Sequence, residues 1–187
     1  MINVAVYTIA GGMASTLVGA GLGLLGHWIV PAQSTKMGTV VAIAVSTLAA
    51  TREFGWISLP LPQWARQTQR IWGMRFHRTL AAALWGFDLG LTFTTRLTFS
   101  GVWFLAAMAI FSKDPAYGAA LFTLYWLGRV LSVWLAPLLM WDANSTPQLL
   151  DAINEQYQLF RRIHAWALVS AVAILCLWLI HGTPMLR

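Results

Sequence analysis

The chain carries little charge: only 10% of its 187 residues are charged, and six of them are Asp or Glu. Soluble domains carry about 25% charged residues, so this composition excludes an ordinary soluble globular domain. Intrinsic disorder is excluded too, because 58% of the residues are hydrophobic and must be buried. The net charge is +6, but the 12 Lys and Arg residues are scattered between apolar runs, which excludes nucleic acid as a partner.

Cysteine is almost absent, since Cys176 is the only one. The chain therefore has no internal disulfide, no four-cysteine zinc site and no dithiol pair. No Ser-His-Asp set, phosphate-binding loop or carboxylate pair is present either, so we predict that the chain is not an enzyme. No two of the four histidines share a helix at ligand spacing, and no metal site is predicted. One histidine suffices for a haem or a pigment, so the cofactor stays unknown, with His27 and His164 as candidate ligands.

Long apolar runs dominate what remains. A membrane-spanning helix needs about 20 apolar residues, and the sequence predicts an all-α membrane protein whose six helices form one transmembrane bundle. The predicted spans are residues 4–30, 34–51, 79–95, 97–112, 115–141 and 163–181. The first run lacks a basic leader and is too long for a signal peptide, so we expect it to be a retained span.

The arginine-rich stretch 52–78 is predicted to lie in the cytoplasm by the positive-inside rule. Six spans then put both termini in the cytoplasm and the stretch 142–162 outside. Apolar residues at helical spacing in 142–162 predict an amphipathic helix that lies on the bilayer or on a partner. Several of the 11 tryptophans fall near span ends, as in an aromatic belt.

Small residues recur at four-residue spacing in three predicted spans and predict grooves for close helix packing. An alternative is a backbone-lined path or hinge. The recurrence in both halves indicates two inverted repeats of three helices each. The predicted groove residues are Gly11, Ser15, Gly19, Gly23, Gly86, Gly90 and Gly128.

Asp88 and Arg129 each lie near the middle of a predicted span. Charge at that depth is costly, which makes both residues candidates for a functional site. We expect them to pair, either as a structural ion pair or as a site for an ion, proton or substrate. Arg96, between two short apolar segments, either reaches the outer interface or lies near a cavity.

Three stretches carry a family resemblance: LPQWARQ (61–67), LWGFDLGLTFTTR (84–96) and YGAALFTLYWLGR (117–129). They resemble the second half of the DsbD-type, or cytochrome c biogenesis, transmembrane family. The resemblance implies six spans in two inverted repeats that move reducing equivalents through one cysteine each. Here the corner reads Thr94-Thr95-Arg96, without a cysteine. Because thiol exchange needs two thiols, we carry over the fold and not the catalysis.

The sequence thus predicts a non-redox integral membrane protein of the bacterial inner membrane, in contact with the bilayer and with other membrane subunits or itself. It serves either as an accessory subunit of a larger membrane complex or as a small transporter-like protein. The alternative is a transmembrane thiol or electron relay that uses cysteines of a partner.

Overall fold

The fold is built from helices. The computed structural model describes residues 2–31, 35–60, 71–95, 99–139, 151 and 155–181, and these residues contain no strand. The all-α prediction is confirmed for this part of the chain. The helices are α1 (Ile2–Ile29), α2 (Thr35–Glu53), α3 (Ile71–Arg75), α4 (Arg78–Gly90), α5 (Gly101–Ser112), α6 (Pro115–Leu139) and α7 (Tyr157–His181).

Within the described residues, three helices are long and apolar enough to cross a membrane: α1, residues 115–135 of α6, and α7, with 28, 21 and 25 residues. At about 1.5 Å per residue, each reaches the roughly 30 Å of a hydrocarbon core. Large apolar side chains on these helices are exposed, among them Ile9, Leu17 and Leu177. Such surfaces suit contact with lipid chains rather than with water.

The six-span prediction is not supported, because α2, α4 and α5 are not among these apolar helices. α4 has 13 residues and ends at Gly90 instead of 95, while α5 has 12 residues and begins at Gly101 instead of 97. They extend only about 20 and 18 Å, so neither crosses a bilayer alone. The cause is a backbone break around Thr92, which adopts a left-handed φ of 62°. Hydropathy counts apolar residues and does not detect such a break.

The other spans agree more closely with the structure: α1, α2 and α6 match the predicted 4–30, 34–51 and 115–141 to within a few residues. α7 begins at Tyr157, so residues 157–162 belong to that apolar helix and not to a separate amphipathic one. The rest of the predicted 142–162 helix lies outside the described residues, apart from 151, 155 and 156.

The fold divides into two compact units. The first contains residues 2–18 of α1, α3, α4 and residues 122–139 of α6. The second contains residues 19–29 of α1, α2, α5, residues 115–121 of α6, and residues 158–181 of α7.

In the first unit, α1 and α6 run antiparallel. The Trp126 indole N–H donates to the Thr8 carbonyl (2.8 Å), and the Ser15 hydroxyl donates to the Phe122 carbonyl (2.7 Å). Trp126 and Phe122 are almost fully buried. These bonds satisfy polar atoms inside an apolar interface, where an unpaired group is costly.

α4 packs parallel to α1 in the same unit. A Cβ atom on Gly86 would overlap the Tyr7 carbonyl, and one on Gly90 would overlap the Gly11 carbonyl. Only glycine lets the two backbones approach this closely. Of the groove residues expected from sequence, Gly128 does not contribute, because a Cβ added there meets nothing within 4 Å.

In the second unit, α2 packs against α5 and α7. Gly38 of α2 lies against the Phe111 ring, and the Ser46 hydroxyl donates to the Leu168 carbonyl (3.1 Å). Leu168 also joins Ala49 and Ala50 in a small buried cluster. The same unit contains Gly19, whose carbonyl lies against Gly118, and Gly23, which lies against the Asp114 backbone.

Gly86→Ala is expected to lower the melting temperature in detergent, because its methyl group would push α4 off the Tyr7 backbone. Overpacking of this kind costs about 1–3 kcal/mol. Gly128→Ala is the matched control and should be neutral or slightly stabilising, since alanine favours helix by about 0.5–1 kcal/mol where space is open. Equal melting temperatures for the two variants would contradict the close approach.

Candidate functional site

Glu53 is the most buried charged side chain that the structure describes, with no exposed side-chain surface. It is the last residue of α2, which ends in a Schellman motif. The Gly55 N–H donates to the Arg52 carbonyl (2.9 Å), and the Trp56 N–H donates to the Thr51 carbonyl (3.0 Å). Gly55 has a φ of 81°, a conformation that glycine adopts without steric cost. This turn fixes Glu53 and Arg52 in place.

The Glu53 carboxylate binds the start of α5. One of its oxygens accepts hydrogen bonds from the Ser100 N–H (2.8 Å) and the Ser100 hydroxyl (2.6 Å). Ser100 is the residue that precedes the first turn of α5. A carboxylate is unfavourable at the C-terminus of its own helix but favourable at the N-terminus of another. Glu53 thus stabilises α5 at the expense of α2.

Two arginines share the Glu53 carboxylate. Arg52 Nη1 lies 2.9 Å from one oxygen, and Arg161 Nε of α7 lies 3.2 Å from the other. Arg161 Nη2 also donates to the Arg52 carbonyl (2.7 Å), and Arg52 Nε donates to the Leu59 carbonyl (3.0 Å). The cluster therefore contains two guanidinium charges and one carboxylate, with a net charge of about +1.

The second contact at the start of α5 comes from His164 of α7. Its Nε2 accepts the Gly101 N–H at 3.2 Å, so the imidazole is neutral and carries its proton on Nδ1. His164 was a candidate cofactor ligand, and here this nitrogen is already used as an acceptor. The other candidate, His27, is exposed in the last turn of α1. Among the described residues, no three His, Cys, Asp or Glu side chains group as metal ligands.

A cavity of about 490 Å³ opens beside the cluster. Arg52 and Arg161 line one part of it, and the chain that follows α2 lines the rest. The side chains of Arg52 and Arg161 are 25% and 22% exposed, so both remain partly accessible. The other lining residues are Gly55, Ile57, Ser58, Leu59 and Pro60.

The first unit contains the carboxylate singled out from sequence, Asp88, which is buried near the end of α4. The Thr94 hydroxyl donates to the Asp88 backbone carbonyl at 3.0 Å and lies 3.4 Å from the Asp88 carboxylate. Thr92, fully buried at the break, bonds to the Gly90 carbonyl through its hydroxyl (3.0 Å). A left-handed β-branched residue is strained, and such strain persists where neighbours enforce it.

Arg129 reaches the same end of α4 without forming the expected ion pair. Its Nη1 donates to the Leu89 carbonyl at 3.2 Å, one residue from Asp88. The ion pairs among the described residues are those of Glu53. Carbonyls at a helix C-terminus lack intrahelical donors and carry partial negative charge, so they attract a guanidinium. Arg96 lies outside the described residues.

The contact between Arg161 and Arg52 bears on the expected topology. Six spans set 52–78 and 142–162 on opposite sides of the bilayer, yet Arg161 bonds to Glu53 and to the Arg52 carbonyl. Groups in hydrogen-bond contact lie at one depth. Arg52, Glu53 and Arg161 therefore lie at one depth of the second unit, whereas the six-span arrangement sets the ends of these two stretches apart.

Sequence reasoning missed Glu53, Ser100 and Arg161 as members of one cluster. One signal was available: Glu53 is an acid among arginines at the end of an apolar run, where the helix dipole disfavours it. A carboxylate there calls for donors from another element. Which element supplies them does not follow from the sequence, since Arg161 lies 108 residues away.

The chain is similar to two curated proteins, both described as methylamine utilization protein MauF. They come from Methylophilus methylotrophus and Methylobacillus flagellatus, and each is 24% identical over 122 residues. The match covers 65% of this chain but only 42% and 43% of the relatives, so it spans about two fifths of their length. No protein-family model matches the chain. No solved structure matches it significantly.

Glu53→Gln is expected to destabilise the protein by about 3 kcal/mol, because two arginines lose their counter-charge; this is the low end for a buried pair, since the guanidinium groups are partly exposed. Adding Arg161→Gln should cost less than the sum of the single losses, as both changes break one ion pair. Thermal unfolding in detergent measures this.

The control is Glu155→Gln, which changes an exposed carboxylate of the same charge and should leave the melting temperature unchanged. Strictly additive losses for Glu53→Gln and Arg161→Gln would show that the two side chains do not stabilise each other.

Proposed function

We propose, from the likeness to MauF, that this chain is an integral membrane protein that supports methylamine utilization as an accessory, non-redox component. The observation that carries the membrane part is the presence of three long apolar helices, α1, α6 and α7, with large apolar side chains exposed along them. The link to methylamine rests on the likeness to these two relatives alone. The membrane we propose is the bacterial inner membrane.

The accessory role is supported by how the charged side chains are used. Glu53 is bound by Ser100, Arg52 and Arg161, and Arg129 is bound to the end of α4. These groups stabilise helix ends within the chain. Carriers of ions or protons keep their acidic groups exposed to a water-filled path, whereas the Glu53 side chain is fully buried, so a fixed structural role is the better explanation here.

The non-redox role is supported by the cysteine content. The resemblance to the DsbD-type family implies a relay through one cysteine in each repeat. This chain offers only Cys176, which lies half-buried in α7. A relay would therefore need a thiol from a partner, because exchange requires an attacking and a resolving thiol.

A transporter-like role is the second candidate, and the break after α4 favours it. Transporters place substrates at interrupted helices near the bilayer midplane. Here α4 ends at Gly90, and buried Asp88 and Thr92 lie beside the interruption. The buried Thr95 hydroxyl has no hydrogen-bond partner among the described residues, so this region retains some capacity to bind a polar group.

We propose five crossings in place of six: α1, α2, residues 78–112 together, α6 and α7. α4 and α5 are each too short to cross alone, so the stretch that contains both supplies one crossing. The contact of Arg161 with Arg52 supports an even number of crossings between them, and residues 78–112 with α6 give two. The start of α1 and the end of α7 then lie on opposite sides.

The distribution of basic residues supports this topology. Five crossings put both 52–78 and the arginines at 161 and 162 in the cytoplasm, as the positive-inside rule favours. The cytoplasmic arginines are then Arg52, Arg66, Arg70, Arg75, Arg78, Arg161 and Arg162. Lys36, Lys113 and Arg187 lie on the other side. Six crossings would instead move Arg161 and Arg162 outside.

Cysteine labelling distinguishes five crossings from six. In a Cys176→Ser background, Met74→Cys and Glu155→Cys should react with an impermeant maleimide from the same side of the membrane, and Lys36→Cys from the other. All three positions are exposed. Inverted and right-side-out vesicles provide the two sides. Labelling of positions 74 and 155 from opposite sides would restore the six-span topology.

Deletion of the gene in its native host tests the function. We expect growth on methylamine to slow or stop while growth on another carbon and nitrogen source is unchanged. Wild-type protein and Cys176→Ser should rescue growth equally, because no thiol of this chain takes part. Failure of Cys176→Ser alone would favour the thiol relay, and normal growth of the deletion strain would refute the link to methylamine.

The same strains separate the accessory role from transport. Uptake of labelled methylamine into cells should be unchanged by the deletion if the chain is accessory. Reduced uptake, restored by wild-type protein but not by Asp88→Asn, would favour the transporter-like role.

A further inference from the structure

We propose that the cavity beside Arg52 and Arg161 binds the phosphate group of an amphiphilic ligand. This inference does not depend on the link to methylamine. It rests on three features of the second unit: an unbalanced positive charge, free donor capacity on two fixed arginines, and apolar walls.

The charge at the cavity favours an anion. Arg52 and Arg161 face one carboxylate, Glu53, which is fully buried behind them and also binds Ser100. The cluster keeps a net positive charge that an anion in the cavity would neutralise. Attraction is stronger there than in open water, because the surroundings are partly apolar.

The two guanidinium groups are fixed and still have donors to offer. Arg52 uses Nε and Nη1, and Arg161 uses Nε and Nη2, in the bonds to Glu53, Leu59 and the Arg52 carbonyl. A guanidinium has five N–H donors, so each keeps donors for a ligand. Arginines held in place by such bonds lose little entropy on binding, and their planar fork matches the oxygens of a phosphate.

The rest of the cavity is mostly apolar. Ile57, Leu59 and Pro60 line it, with Ser58 as the uncharged polar side chain among the lining residues. Next to it, Trp56 is 74% exposed and stacks on Phe54 (5.1 Å between ring centroids). Exposed tryptophan beside arginine is typical of the membrane–water interface, where lipid phosphates lie. A headgroup with part of its glycerol and chains suits both the arginines and the apolar walls.

The phosphate group could belong to two classes of ligand: the headgroup of an anionic phospholipid or a water-soluble phosphate ester. The probes are short-chain phosphatidylglycerol and glycerol 3-phosphate, which share the phosphate and differ in the apolar part. Binding to the purified full chain in neutral detergent is measured by native mass spectrometry and by the rise in melting temperature.

We expect phosphatidylglycerol to bind the wild-type protein and to raise its melting temperature. Arg161→Gln should weaken this binding about tenfold or more, the effect of losing a charge-assisted hydrogen bond. Ser58→Trp, which fills the cavity and keeps all charges of the cluster, should weaken it similarly. Arg162→Gln is the matched control: it removes the same charge one residue away, at an exposed position that does not line the cavity.

The outcomes separate the sources. Binding of phosphatidylglycerol but not of glycerol 3-phosphate assigns the site to a lipid, and equal binding of both assigns it to a soluble ester. Equal weakening by Arg161→Gln and Arg162→Gln would overturn the proposal in favour of general attraction to positive charge. Unchanged binding by Ser58→Trp, or no binding of either probe to the wild-type protein, would also overturn it.

Discussion

The N-terminus of α5 determines how the second unit is assembled. The first N–H groups of a helix have no partner within the helix, and at Gly101 water is largely excluded. The chain supplies acceptors from two other helices: Glu53 of α2 binds Ser100, and His164 of α7 binds the Gly101 N–H. Each bond satisfies a polar group that would be costly to bury alone. Together they fix where α2 and α7 meet α5.

The Glu53 carboxylate that binds α5 must itself be stabilised, and two arginines do so. A buried carboxylate needs positive charge, and at the C-terminus of α2 the helix dipole opposes it. Arg52 and Arg161 supply that charge, and Arg161 also binds a terminal carbonyl of α2. The buried Glu53 is thus paired with two partly exposed arginines, and one net positive charge remains at the surface of the second unit. The cavity beside them follows from the same turn at Gly55 that ends α2.

Much of the helical framework follows from the sequence, and the limits have physical causes. Runs of apolar residues locate α1, α2 and α6 well, because burial in lipid or protein depends mainly on composition. They fail at residues 79–112, where Gly90 and Thr92 end α4 while the sequence stays apolar.

The sites were harder to predict than the helices. Asp88 and Arg129 were expected to pair because both lie at mid-span, but depth alone does not fix orientation, and the Leu89 carbonyl binds Arg129 instead. Glu53 and Arg161 are distant in sequence, so only the fold brings them together. The predicted groove residues also differ from one another. Gly86 and Gly90 pack against backbone atoms of α1, whereas a Cβ atom on Gly128 would meet nothing within 4 Å. The spacing of small residues shows that two helices can approach closely, but the position of the partner helix determines at which residues they do so.

In each unit, side chains from other helices bind the unpaired backbone groups at a helix end, but the side chains differ in charge. In the first, the end of α4 is bound by an arginine, since Arg129 donates to a terminal carbonyl. In the second, the start of α5 is bound by a carboxylate and a neutral imidazole. Both choices follow the helix dipole, with positive charge at a C-terminus and negative charge at an N-terminus. An apolar segment that ends one helix and begins another has a C-terminus and an N-terminus to satisfy. It therefore needs a positively charged side chain for the first and an acceptor for the second. Arg129 at the end of α4, and Glu53 with its two arginines at the start of α5, are therefore explained first by these helix ends, and any binding role uses the charge that remains.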